Sequence, residues 1–142
     1  MILVDINLLI YATFEATEQH RAAHAWLDEQ LNGLARVGLP WHSLLGYLRI
    51  ATNPRAFSDA ITMGDAWKQV ENWLSCGPVW IPEPTTRHGA VLGALLCQQT
   101  VYGDLVSDAH LAALAIEHGL TLCSTDTDFA RFRELKWINP IA

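Results

Sequence analysis

The residue pattern predicts an α/β domain, with a short, mostly parallel central sheet flanked by helices and residues 1–142 forming one unit. Three observations carry that expectation. Brief apolar runs alternate with longer stretches of 3.6-residue periodicity. The breaks between them fall at Gly, Pro, Asn and Asp positions. No linker, internal repeat or shift in composition divides the chain.

The first expected strand is Ile2–Val4, an apolar run that ends in the polar Asp5-Ile6-Asn7 turn. Leu8–Phe14 reads as a short helix. His20–Leu34 reads as an amphipathic one, with Ala23, Trp26, Leu27 and Leu31 near a 3.6-residue period. Val37–Leu39 forms a second strand, closed by Pro40. Trp41–Ala51 is helical, with Leu44, Leu45 and Leu48 on one face. It ends at Asn53-Pro54, because a residue preceding proline is pushed out of the helical region. Asp65–Cys76 is a helix stopped by Gly77-Pro78, and Val79–Ile81 is a third strand. Arg87–Gln99 is a helix that runs into a loop at Tyr102-Gly103. Ser107 is the expected N-cap of a helix over Asp108–His118, with Gly119 in the C′ position. Leu120–Cys123 follows as a fourth strand. A short helical turn lies near Phe129 to Phe132, and Trp137–Ile138 forms a fifth, edge strand.

Composition narrows the class. Apolar residues make up 51% of the chain and charged ones 17%, which describes a folded domain and not a disordered arm. No apolar run reaches the ~18 residues that a membrane span needs. The N-terminus has no basic segment and its apolar stretch is broken by Asp5, so no signal peptide is expected. Cys76, Cys97 and Cys123 lack any CxxC spacing and read as buried thiols of a reducing compartment, the cytoplasm.

The acids give the sequence its chemistry. Asp5 lies just after the first strand, and Asp126 and Asp128 just after the fourth. Parallel strands end on one side of a sheet, and ligands bind beyond those carboxyl ends. Asp5 can therefore meet Asp126 and Asp128, and Asp108 joins them if its helix starts at the same edge. Crowded carboxylates repel unless a proton or a cation neutralises them. An oxygen set without Cys or His favours magnesium or manganese over zinc, and such an ion activates water against a phosphodiester. Taken singly, each acid also has a structural reading: Asp108 as a first-turn acid, Asp126 and Asp128 as caps. Asn7 is read either as an Asx-turn residue or as a ligand-orienting group, and Thr125 as a partner of the site or of its own turn. The net charge of −6 argues at first sight against a nucleic-acid partner. Setting the four site aspartates aside from the 15 acids leaves 11 against nine bases, a balance of −2, and seven of the nine bases are Arg. Arg49, Arg55 and Arg87-His88 are the candidates for holding a phosphate backbone, Arg55 because Asn53-Pro54 sets it in a rigid turn. His20 and His24, spaced i, i+4, lack a third ligand and do not suggest zinc. Most of the six tryptophans are assigned to core or contact positions.

Four blocks in order resemble one family. They are Val4-Asp-Ile-Asn-Leu-Leu-Ile-Tyr-Ala12, Leu48-Arg-Ile-Ala-Thr-Asn-Pro-Arg55, Val106-Ser-Asp-Ala-His-Leu-Ala-Ala-Leu-Ala-Ile-Glu-His-Gly119 and Ser124-Thr-Asp-Thr-Asp-Phe129. Together they resemble the PIN-domain toxins of the VapC type, over nearly the whole chain. The resemblance implies a single PIN domain and a magnesium- or manganese-dependent endoribonuclease acting on tRNA or other structured RNA. It also implies a VapB-type antitoxin as inhibitor, DNA contact only through that antitoxin, a homodimer as the assembly unit, and no membrane partner. Asp5, Asp108 and Asp126 match the family's acidic metal-site positions, and Asp128 its frequent additional acid.

One departure stands out. The family commonly places a glutamate on the helix after the second strand, where this chain has Gly46 or a neighbour, and no acid occurs between Trp41 and Phe57. Asp104, four residues before Asp108, is either a substitute or a solvated loop residue. Two other readings remain: a catalytically degenerate PIN scaffold that binds RNA or antitoxin, and a haloacid-dehalogenase-like phosphatase. The second needs an acid where the chain has Asn7.

Overall fold

The computed structural model describes residues 1–98 and 101–142. Five strands, β1 (Ile2–Val4), β2 (Val37–Gly38), β3 (Val79–Trp80), β4 (Thr121–Cys123) and β5 (Trp137–Ile138), form one all-parallel sheet in the order β3-β2-β1-β4-β5. Among the described residues six helices flank it: α1 (Ile6–Thr13), α2 (His20–Leu31), α3 (Trp41–Ala51), α4 (Met63–Leu74), α5 (His88–Gln98) and α6 (Asp104–His118). Parallel neighbours cannot be joined by a tight hairpin, so a crossover connects each strand to the next in sequence.

Alternation along β1 divides the core. Leu3 pairs in register with Leu122, and Val4 with Cys123, so successive side chains face opposite sides of the sheet. Val4 and Cys123 pack with Leu8, Leu44, Tyr47 and Trp73 under α1–α4. Leu3 and Leu122 pack with Leu95, Leu111, Leu114 and Phe129 under α5 and α6. With β1 central and covered on both faces, its carboxyl end opens only at the sheet edge, beside that of β4.

The structure moves several element ends, each for a local reason. The first helix begins at Ile6, two residues before the expected Leu8, because Asp5 is its N-cap and accepts the Ile6 N–H. It ends at Thr13, α2 stops at Leu31 and not Leu34, and β2, β3 and β4 are each one residue shorter than expected. Helix α4 starts at Met63 and not Asp65, with the Thr62 hydroxyl accepting the Asp65 N–H at 3.2 Å. Helix α5 starts at His88; Gln99, its expected last residue, lies outside the described residues.

The largest correction concerns α6. It begins at Asp104, a full turn before Asp108, with Gly103 at its N-cap and Ser107 inside the helix. Gly103 has φ 58°, a left-handed conformation suited to glycine, so glycine chemistry and not a serine cap sets this boundary. Gly119 ends the helix as expected, at φ 66°, with its N–H directed to Ala115 and Ile116 carbonyls. The short helical turn after β4 spans Thr127–Arg131 and is capped by Asp126. Of the three free cysteines only Cys123 is buried; Cys97 is exposed, against expectation, on the outer face of α5. Among the described residues no helix is long and apolar enough to cross a membrane.

Candidate acidic metal centre

The sheet register assembles the site. Val4 pairs with Cys123, and the Asp5 N–H donates to the Cys123 carbonyl at 3.0 Å, so Asp5 and Ser124 are the first residues beyond two adjacent strands. Ser124 Oγ donates to Asp5 Oδ2 at 2.7 Å, while Ile6 N–H donates to Oδ1 at 2.8 Å. Asn7 Nδ2 lies 3.2 Å from Asp5 Oδ2 and 3.0 Å from Ser124 Oγ, and Asn7 Oδ1 accepts the Thr125 N–H at 3.2 Å. The Asp126 N–H in turn donates to Ser124 Oγ at 3.0 Å. Asn7 therefore ties the β1 end to the β4 end, combining turn and orienting roles. Both ends of its amide are engaged, and the position offers no acidic group for a phosphatase mechanism.

Three further aspartates close over this knot. Asp126 caps the helical turn, its Oδ1 accepting the Asp128 N–H at 2.9 Å. Asp108 reaches the same place from the second turn of α6. One carboxylate oxygen each from Asp108, Asp126 and Asp128 lie within 4.8 Å of one another. Magnesium holds oxygens at ~2.0–2.1 Å, so opposite ligands stand ~4.2 Å apart, and a small inward movement of these side chains would close the set onto one hard cation.

Electrostatics agree with the geometry. Burial, and then the charges of Asp126, Asp5, Asp128 and Asp104, raise the Asp108 carboxyl to about 6. Burial also raises Asp5, which is 8% exposed, although hydrogen bonds from Ser124 and Ile6 counteract it and Asp126 adds to it. A cation placed among these groups removes the repulsion that pushes their pKa values up. Asp128 is the outermost member, exposed and 3.3 Å from Arg131. Asp104 is not a loop residue: it lies in the first turn of α6, exposed, one turn below Asp108.

A cleft of ≈560 Å³ adjoins the acids, and its walls include Asp5, Asn7, His42, Arg49, Asp104 and Asp108. Helix α3 brings no acid to it. A Cβ on Gly46 would stand 2.1 Å from Ile6 Cδ1, so any side chain there requires Ile6 to move. The same helix instead presents His42 and Arg49. Arg55 lies in the exposed turn after α3, its N–H bonded to Asn53 Oδ1 at 2.9 Å, and does not line the cleft. Arg87 and His88 are engaged elsewhere: Arg87 Nη2 donates to the Glu117 carbonyl at 2.7 Å, and His88 pairs with the Glu117 carboxylate. His20 and His24 line a separate cavity between α1, α2 and α4, their Nδ1 atoms 2.8 and 3.3 Å from the Tyr11 and Ala12 carbonyls.

Sequence reasoning did not single out Ser124 or His42. A hydroxyl directly after the fourth strand, preceding Thr-Asp, was a usable signal for Ser124. Nothing local marks His42, since only the packing of α3 places it on the cleft wall.

Three comparisons bear on this site. The family model for the PIN domain matches residues 2–135. The chain is similar to ribonuclease VapC33 of Mycobacterium tuberculosis, 42% identical over 141 residues and 99% of each chain. It is also similar to ribonuclease VapC37 of the same organism, 39% identical over 100% of this chain and 99% of that one. Among solved structures it matches VapBC2 from Rickettsia felis bound to a DNA fragment from its promoter, with TM-score 0.71 and 18% identity over 98% of each chain. At that identity the last match speaks to the fold.

Proposed function

Because this chain belongs to the PIN-domain family, we propose that it is an endoribonuclease toxin that hydrolyses RNA phosphodiester bonds with magnesium or manganese and is held in check by a cognate antitoxin. The observation that carries this reading is the meeting of Asp108, Asp126 and Asp128 within 4.8 Å beside the buried Asp5. The ribonuclease names of relatives that align along the whole chain support the reaction class.

A divalent ion held by these carboxylates would supply charge neutralisation and activation of the attacking water. The chain's own residues do the rest. Asp108 and Asp126 provide the main ligand oxygens, Asp128 is the auxiliary ligand, and Asp5 fixes the inner side of the site through its bonds to Ser124 and Asn7. Thr125 is positioned by Asn7 through its N–H. Arg49 faces the cleft and is suited to a substrate phosphate, and Arg55 would act only on a longer stretch of the RNA backbone. In-line attack leaves a 5′-phosphate and a 3′-hydroxyl.

Tied to the same family reading are structured RNA such as tRNA as substrate, a VapB-type antitoxin as partner, DNA contact only through that antitoxin, a homodimer, and residence in the cytoplasm. The R. felis neighbour, solved as VapBC2 on a fragment of its promoter DNA, is consistent with such a partner. The crowded Gly46 supports a second reading, a scaffold that binds without cutting, because α3 contributes no acid. One pair of measurements separates them. Antitoxin-free protein is titrated with manganese by calorimetry and incubated with total tRNA. Binding that disappears in Asp126→Asn, with cleavage lost in Asp5→Asn and Asp108→Asn, supports the nuclease. A flat titration of the parent protein supports the scaffold, and cleavage unchanged in both variants rejects the mechanism.

A further inference from the structure

A file of histidines leads from a buried carboxylate to the cleft. Glu117, in the last turn of α6, accepts the Thr85 N–H and hydroxyl at 2.9 and 2.6 Å and pairs with His88 Nδ1. Its side chain is wholly buried, and although burial raises its pKa, the hydrogen bonds from Thr85 and His88 outweigh that and leave it below the usual carboxylate range. His88 Nε2 lies 3.1 Å from His110 Nδ1. The bond to the Glu117 carboxylate and the contact with His110 hold the His88 ring from both sides. The His110 ring then meets the His42 ring edge-on, at 5.8 Å and 62°.

His42 ends the file on the cleft wall beside Arg49. Its ring has no hydrogen-bond partner among the described residues, unlike those of His88 and His110. Placing a carboxylate and two bonded imidazoles behind one wall is a costly way to fill space, because each polar group must be satisfied. The arrangement stands behind an imidazole that itself has no hydrogen-bond partner among the described residues. Burial, and secondarily Arg49, hold His42 below the usual histidine range. A neutral imidazole both donates and accepts, which matches an uncharged hydroxyl or base edge better than a phosphate oxygen.

We propose that His42 contacts an uncharged hydrogen-bonding group, a ribose hydroxyl or a base edge, of the RNA nucleotide beside the cleaved phosphate. Glu117, His88 and His110 are its positioning residues. The inference rests on the nuclease reading above and adds a specificity-determining contact that the aspartates cannot make.

The test uses a synthetic RNA spanning a cut mapped in total tRNA, with analogues carrying either a single 2′-deoxy substitution or a single base-edge change beside the cut. His42→Ala should raise KM about tenfold, the scale of one lost hydrogen bond, with kcat within about threefold and manganese affinity unchanged. One analogue should cost the parent protein a similar factor and cost His42→Ala almost nothing, and the chemistry of that analogue names the contacted group. His88→Ala should raise KM by a smaller factor, and His88→Gln, able to bridge Glu117 and His110, should restore it. A parental KM in His42→Ala, loss of manganese affinity there, or additive penalties with every analogue each overturn the contact. A parental KM in His88→Ala overturns the bracing role. A parent protein that neither cuts RNA nor binds manganese fails the nuclease reading itself, and this one with it.

Discussion

Replacing Asp108 by Asn should make the metal-free protein more stable near neutral pH while abolishing cleavage. Burial and four neighbouring aspartates raise the Asp108 carboxyl to about 6. That is roughly two units above the ordinary value of ~3.9, or about 3 kcal/mol at ~1.4 kcal/mol per unit. Asp108 is only half-buried, and solvent screening reduces the figure to roughly 1–1.5 kcal/mol. The folded carboxyl holds its proton more tightly than the unfolded one. Its contribution is therefore fully present below pH ~4 and is lost as pH rises through about 6. Urea denaturation with a chelator present should show parent and Asp108→Asn nearly equal at pH 4.5, with the variant ahead by about 1 kcal/mol at pH 7.5. Manganese at a hundred times its dissociation constant should reverse the order, adding ~2.7 kcal/mol to the parent and much less to the variant. A variant less stable than the parent at pH 7.5 in chelator, or a gap that ignores pH, would refute the view of Asp108 as a repelled ligand awaiting a cation.

Ser124→Ala removes the donor to Asp5 Oδ2 and the acceptor of the Asp126 N–H, so it should cost roughly 1–3 kcal/mol in denaturation and weaken manganese binding in calorimetry. Gly46→Ala should destabilise by about 1–3 kcal/mol through the contact with Ile6, and a double-mutant cycle with Ile6→Ala should show that penalty largely relieved; additive losses would contradict the packing argument. Gly103→Ala forces an alanine to φ 58° and should cost about 1–3 kcal/mol, with faster amide exchange in the first turn of α6 as its signature. Asp104→Asn should alter manganese affinity by less than about threefold, because this exposed acid acts on the site only as a neighbouring charge; loss of binding as complete as in Asp126→Asn would make it a ligand.

The sequence by itself determined the sheet, its parallel sense and which acids stand at its carboxyl ends. Short apolar runs separated by helical periods admit few other arrangements, and Asp5, Asp126 and Asp128 need only the strand ends to be placed. Gly119 and Trp137–Ile138 were legible for the same reason, since each depends on a few adjacent residues. What only the tertiary structure decided depends on contacts between elements far apart in the chain. Ser43 Oγ donates to the Val4 carbonyl at 2.6 Å, and Gly46 lies against Ile6; both contacts bring α3 so close to the β1–α1 junction that a side chain at Gly46 would have to displace Ile6. That approach also sets the face of α3 that carries His42 and Arg49, two turns apart, against the cleft. Ser107 has the cap chemistry that points to a later start of α6, but a left-handed Gly103 lets the helix begin earlier. Asp104 was thereby drawn onto the helix, where its charge reaches Asp108. Local chemistry sets which residues can serve, and packing sets which of them face the same few ångströms of space.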